Sequence, residues 1–343
     1  MARDGEPVAV TLHTVARRAS VSTATVSRVL RGSGPASEAT RAKVLAAARE
    51  LGYTPPERSV SVAATRRDVC GLVLADLEDH CHAETVLGFQ SAAAALGQGV
   101  ALLVIRRRHD APETLRALAR RVDGLAIGAN TVPDSVVRGL ARSVPVVLLA
   151  RGPVGGCDSV RTENRGNAAL LTSHLLEHGR SHLVFVGDPA SSADAAERYA
   201  GFRTAHVVAE VPLRRPPLPV PLIEGAGIQV AEEILRRRVK VDGLVCASDD
   251  LALAIIRRLQ DNGARLPEDL AVVGWGDVPA ARYICPGLTT VRAPIRDLGR
   301  VAAVQLAARI AGAQPWDETR MLPTRVVIRS SCGCPQLSQL SHA

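Results

Sequence analysis

The residues able to do chemistry in this chain fall into three short stretches. In "TATVSRVLR", Thr23, Ala24, Ser27, Arg28 and Arg31 set short hydroxyl and methyl groups beside two arginines. Short side chains let a helix come close to a polyanion, and an arginine fork then reaches guanine edges or phosphate oxygens. The other stretches, "HCH" at 80–82 and "CGC" at 332–334, carry the donor atoms of soft-metal sites. Neither has the ligand spacing of a known zinc module, so the first is expected to be an ordinary loop and the second an ordinary tail, with no metal. No cofactor and no enzymatic activity are expected either. "GAGIQV" at 225–230 lacks the third glycine of a dinucleotide loop, and neither a Walker loop nor a nucleophile elbow occurs. Neighbouring residues of "HCH" cannot easily point at each other as a nucleophile and its base.

The first stretch needs a helix presented at a surface, and its surroundings supply one. Leu12, Val15, Ala16 and Ala19 share one face of a first helix, and Val26, Val29 and Leu30 one face of a second. Thr11 and Ser22 stand where side-chain oxygens cap the free N–H groups of each start. Two helices of about two turns each cannot hold one another. A third is expected in "SEATRAKVLAAARELGY", capped by Ser37, with Val44, Leu45, Ala48 and Leu51 facing inward. This is the arrangement that lays a second helix in the major groove of DNA. Charge agrees with it: the chain carries +8, and residues 1–67 hold eleven Arg or Lys against five Asp or Glu. A basic excess gathered at one end is the electrostatic footprint of a phosphate backbone.

From residue 69 the periodicity changes. Apolar runs "VCGLVLA", "VALLVI", "DGLAIGA", "PVVLLA", "HLVFVGD", "DGLVCASD" and "LAVVGWGD" alternate with helical stretches such as "AETVLGFQSAAAALG". That rhythm predicts βαβ units and an α/β fold with two doubly wound parallel sheets. Seven scattered cysteines suit a reducing compartment better than a disulfide framework. "MARDGEPVAV" lacks a signal-peptide core and no run reaches membrane-span length, so a cytoplasmic chain without a membrane partner is expected.

The run "VTLHTVARRASVSTATVSRVLRG", followed by "SEATRAKVLAAARELGYTP", resembles the DNA-binding head of the lactose-repressor (LacI/GalR) family of bacterial transcription regulators, almost without gaps from Val10 to Pro55. "ERYAGFRTA", "DGLVCASDDLALA", "LPEDLAVVGWGD", "PGLTTVRAPIRDLG" and "LPTRVVIRSS" resemble its effector-binding core, which has the two-lobed periplasmic-binding-protein fold. The resemblance implies a helix-turn-helix head at 8–56, a hinge at 57–68 and an effector-binding, dimerising core at 69–335. Within that core it implies an N-lobe of about 69–163 and 293–322 and a C-lobe of about 164–292 and 323–335. Thr23, Ala24 and Arg28 are then expected at base edges, and Thr11, Ser22, Ser27, Arg31, Ser37 and Thr40 at phosphates. Asp76, Asp79, His80, His82, Arg198, Ser248 and Asp277 are expected around an effector between the lobes. Ser20 stands where the family has a turn glycine and is expected to take a positive φ. The implied function is a sequence-specific transcriptional repressor, and the implied partners are a near-palindromic DNA operator, a small-molecule effector and a second copy of the chain. The alternative is a solute-binding module with an incidental head, which the density of the head motif disfavours.

The cleft departs from the family pattern. Proline and ring-stacking aromatics commonly follow the first core strand, and here His80, Cys81 and His82 stand instead. An acid after the fourth strand is replaced by Ala150, ahead of Arg151; an asparagine is replaced by Ser248, and the first acid of a pair by Gly276. Unpaired buried polar groups cost roughly 1–3 kcal/mol apiece, so losing three polyol partners implies a different ligand or none. Arg198 without its usual acidic neighbours suits an anion.

In the hinge, family members wedge a leucine from each subunit into the minor groove and kink the duplex. Here that position is Val62, shorter and β-branched, in a segment where Pro56, Ser59, Val60 and Ser61 disfavour helix. Val62 is expected to insert but to bend DNA less than leucine does. Val62→Leu should therefore tighten operator binding and increase the bend in a circular-permutation gel assay. If neither Val62→Leu nor Val62→Ser changes affinity or bend, the segment is a tether held near phosphates by Arg58, Arg66 and Arg67.

Overall fold

Segments of helical and of strand periodicity separate cleanly along the chain. The computed structural model describes residues 11–31, 37–51, 53, 67–77, 80–105, 110–237, 241–316 and 318–334. Asp79, Val62 and the rest of the hinge to Arg66 lie outside these, as do the side chains of Arg31 and Arg237. The chain divides into two units, 1–65 and 66–343.

In the first unit, α1 (Leu12–Ala19), α2 (Thr23–Arg31) and α3 (Glu38–Glu50) enclose Val15, Ala16, Val26, Val29, Val44 and Ala47. Leu45, expected inside, is 38 % exposed. The inward stripe of α3 is Val44, Ala47, Ala48 and Leu51. One residue turns the helix by about 100°, which carries Leu45 off that stripe.

The second unit opens with β1 (Val69–Leu74), α4 (His80–Ala95), β2 (Gly99–Val104), α5 (Ala111–Ala119), β3 (Gly124–Gly128), α6 (Asp134–Ala141), β4 (Val146–Leu149) and β5 (Asp158–Thr162). "HCH" is therefore the first turn of a helix, not a loop. A second layered body follows in α7 (Arg165–Glu177), β6 (Leu183–Val186), α8 (Ala193–Val208), α9 (Glu224–Arg237), β7 (Gly243–Cys246), α10 (Asp249–Gln260), β8 (Ala271–Val273), α11 (Ala280–Tyr283) and β9 (Thr290–Arg292). The chain then returns with α12 (Ile295–Ile310) and β10 (Arg320–Leu322), and β11 (Arg325–Val327) is the last element among the described residues.

The first sheet is parallel throughout, ordered β10-β5-β4-β3-β1-β2. The second runs β6-β7-β8 in parallel, with bridges from Val273 to Thr289 and from Gly276 to Arg292 carrying it on to β9. β11 lies antiparallel to β9, so this sheet is mixed at its edge. All seven apolar runs of the sequence form strands, and β5, β9, β10 and β11 join them. These four are short and carry charged or hydroxyl residues, as in "DSVRT", so no apolar run marks them.

Glycine sets the closest helix contacts in both lobes. A Cβ on Gly88 of α4 would stand 1.9 Å from the Arg296 carbonyl oxygen of α12, and one on Gly201 of α8 would stand 2.2 Å from that of Arg165 on α7. Any side chain there would force the helix pair apart.

Asp249 anchors the carboxyl end of the second sheet. Its carboxylate accepts from the Thr290 hydroxyl at 2.6 Å and from the Val278 N–H at 2.9 Å. Burial pushes this carboxyl up to about 6 from its usual 3.8, against the pull of those hydrogen bonds. A carboxyl with a higher pKa folded than unfolded favours folding at low pH, and that contribution is lost as pH rises from about 4 to about 6. Urea unfolding of wild type and Asp249→Asn should differ by an amount that changes between these limits by on the order of 3 kcal/mol, wild type losing ground as pH rises. A pH-independent difference would mean that Asp249 titrates normally.

Candidate DNA-binding head and effector cleft

The head is built from capped helices. Thr11 Oγ1 accepts the Thr14 N–H at 3.4 Å, and Thr14 Oγ1 accepts the Thr11 N–H at 2.8 Å, a reciprocal cap. Ser22 Oγ accepts the Thr25 N–H at 3.2 Å and Ser37 Oγ that of Thr40 at 3.3 Å, with the paired hydroxyls 2.9 and 2.8 Å apart. Thr14 and Thr25 were not read as functional from the sequence, although "TLHT", "STAT" and "SEAT" repeat one capping pattern at the three helix starts. Ser20 holds the turn at φ 54, ψ 44, its N–H shared between the Ala16 and Arg17 carbonyls. A left-handed serine costs about 1–2 kcal/mol more than glycine would.

With Val26 and Val29 turned into the core, α2 points its other face outward. Ala24 and Arg28 are exposed one turn apart, with Thr23 and Ser27 half-buried beside them. The Arg28 Nε reaches back to the Ala24 carbonyl at 3.4 Å, a long contact. Thr11, Ser22 and Ser37 are exposed at helix starts, where free N–H groups attract phosphate, and Thr40 is half-buried behind Ser37.

In the second unit Asp76, Ser248 and Asp277 follow the carboxyl ends of β1, β7 and β8. His82 Nδ1 lies 3.1 Å from the Asp76 carboxylate, and His80, half-buried, starts α4. Arg198 on α8 donates to Asn164 Oδ1 at 2.8 Å and to the Ala247 carbonyl at 2.7 Å, its guanidinium 4.6 Å over the Trp275 ring. Arg151 follows β4 and pairs with Asp134, while its Nη1 is buried without a partner among the described residues. Arg151, Asn130, Ser192 and neighbouring residues line a cavity of about 200 Å³. Arg161 of β5 meets Asp194 of α8 at 3.0 Å, joining the two lobes. Trp275, Arg151 and Arg161 escaped selection in the sequence because only the fold brings these strand ends together.

Two expected effector residues are engaged elsewhere. The Asp277 carboxylate is fully buried and paired with Arg292 and Arg329, so it faces these arginines instead of an open cleft. Ser248 Oγ caps α10 by accepting the Leu251 N–H at 3.3 Å.

A family model described as bacterial regulatory proteins, lacI family, matches residues 11–56, and one for a periplasmic binding protein-like domain matches 172–332. The HTH-type transcriptional regulator GalR of Salmonella typhimurium is 30% identical over 334 residues, spanning 95% of this chain and 96% of the relative. This chain belongs to the lacI family of bacterial regulatory proteins. The ribose operon repressor of Halalkalibacterium halodurans is also 30% identical, over 94% of this chain and 96% of its own. Among solved structures, the regulator CelR in complex with cellobiose superposes with a TM-score of 0.70 at 30% identity, covering 94% of this chain and 100% of that one. The lac repressor dimer bound to operator and the anti-inducer ONPF gives 0.72 at 26% identity, covering 94% and 99%. Like its relatives, this lacI-family chain is a DNA-binding transcription regulator, which sets aside the reading of a solute-binding module with an incidental head.

Arg28→Ala should cost roughly 1–3 kcal/mol at an operator obtained by in vitro selection and leave nonspecific binding nearly intact in competition gel shifts. Equal loss on every sequence would make Arg28 a phosphate contact.

Proposed function

We propose that this regulator is a cytoplasmic homodimeric repressor that reads a near-palindromic operator with Thr23, Ala24 and Arg28 and releases or tightens on it when a small anion binds between the core lobes. The outward face of α2, with Ala24 and Arg28 exposed one turn apart between capped helix starts, carries the DNA reading. Two heads on one dimer address two half-sites, and the core spacing sets their separation. Exposed apolar side chains at Leu87, Leu102 and Tyr283, the last 84 % exposed, support self-association. Among the described residues no helix is long and apolar enough to cross a membrane. The named relatives are transcriptional regulators and repressors, which supports regulation rather than catalysis.

The anionic effector rests on Arg151, whose buried Nη1 lacks an acceptor beside the cavity. Asp134 and Asp194, the nearby acids, are already paired with Arg151 and Arg161. A buried guanidinium nitrogen without an acceptor is costly, and a carboxylate or phosphate oxygen is its best partner. An effector that binds the two lobe arrangements unequally must alter operator affinity by linkage.

Thermal shift and operator gel shifts should respond to di- and tricarboxylates or sugar phosphates and stay unmoved by micromolar galactose or ribose. Arg151→Ala and Arg198→Ala should each weaken the response about tenfold or more. Operator release by a micromolar neutral sugar would overturn the anion reading.

A further inference from the structure

We propose that His174, His178, Cys332 and Cys334 form a four-ligand site for a soft divalent transition ion of the zinc type. This site is separate from the effector cleft. His174 on the last turn of α7 and His178, its C-cap, lead into the amino end of β6, whereas Trp275 and the cleft follow the carboxyl end of β8.

Three of the six edges of a tetrahedron are already at bonding-compatible length. His174 Nε2 lies 3.3 Å from Cys332 Sγ and 3.5 Å from Cys334 Sγ, and His178 Nε2 lies 3.2 Å from Cys334 Sγ. With metal–sulfur bonds of about 2.3 Å and metal–nitrogen bonds of about 2.0–2.1 Å, the nitrogen–sulfur edge of a tetrahedral site is about 3.5 Å. The ligand atoms of His174, Cys332 and Cys334 all lie within 4.8 Å of one another. His178 completes the set from the solvent side. It is the C-cap of α7, one turn after His174, and the two rings lie with centroids 4.6 Å apart.

The thiols converge because Gly333 between them takes φ +103, a conformation that any side chain would strain. Neither thiol is in a disulfide. The Thr289 hydroxyl donates to Cys332 Sγ at 3.2 Å, the kind of outer hydrogen bond that steadies a thiolate ligand. Two thiols lose their protons to solvent as the ion binds, and the two thiolates neutralise its charge. The bound ion would pin residues 332–334 to α7, the helix that begins at the first crossing between the lobes.

The test uses the full chain, reduced, stripped with a chelator and titrated anaerobically with Co²⁺ and then Zn²⁺. One Co²⁺ per chain should give tetrahedral ligand-field absorption with a thiolate charge-transfer band, and Zn²⁺ should bleach both. Cys334→Ser and His178→Ala should each weaken Co²⁺ by at least about 100-fold. Both variants should unfold at the metal-free wild-type temperature, and Cys285→Ser, which alters an exposed cysteine elsewhere, should bind normally. Absence of the tetrahedral spectrum, its survival in both variants, or a Cys332–Cys334 disulfide in protein purified under reducing conditions would overturn the proposal.

Discussion

The carboxylate of Glu163 holds together the passages by which the chain crosses between the two sheets. It accepts the backbone and side-chain N–H groups of Asn167 at 3.2 and 3.1 Å and lies 3.3 Å from the Thr324 hydroxyl. Burial raises its pKa, but the hydrogen bonds from Gly166, Asn167 and Thr324 outweigh that and hold it below the ordinary carboxylate range. Glu163 lies on the first passage between the sheets and Thr324 on the last, so one charged group fastens both together. The remaining passage, from β9 to α12, begins at Arg292, which Asp277 grips together with Arg329. Pairing of β9 with β11 sets that passage beside the last one.

The first passage meets the cleft at Asn164. Its side-chain amide donates to the Thr162 carbonyl at 2.9 Å and its oxygen accepts from Arg198. Arg198 is thereby bonded to the residue next to Glu163. Away from the passages the lobes are stiff. Gly88 and Gly299 let α4 and α12 pack backbone to backbone, as Gly201 does for α8 and α7, and interiors of that density transmit displacement without absorbing it.

The head solves a different problem. Three short helices enclose a core made largely of valine and alanine, so burial alone contributes little for each residue ordered. The paired hydroxyls at each start satisfy N–H groups that would otherwise be open, and such caps contribute about 1 kcal/mol each. Threonines and serines thus serve the fold first, and the free face of α2 serves DNA.

What the sequence determined by itself is what depends on neighbours within about one helical turn or two strand residues: the head helices and caps, the seven apolar strands and the outward Ala24–Arg28 face, whereas the left-handed Ser20 came from the resemblance. Family resemblance extended that reading to the lobes and to Arg198. The tertiary structure decided everything that joins residues far apart in the chain. It drew Asp277 into an arginine cage, set Trp275 under Arg198, turned "HCH" into a helix start and brought the thiols of "CGC" against His174. The physical reason is that periodicity encodes which face of an element is apolar, whereas a partner such as Cys332 for His174, 158 residues away, is chosen only when sheets and crossings are in place.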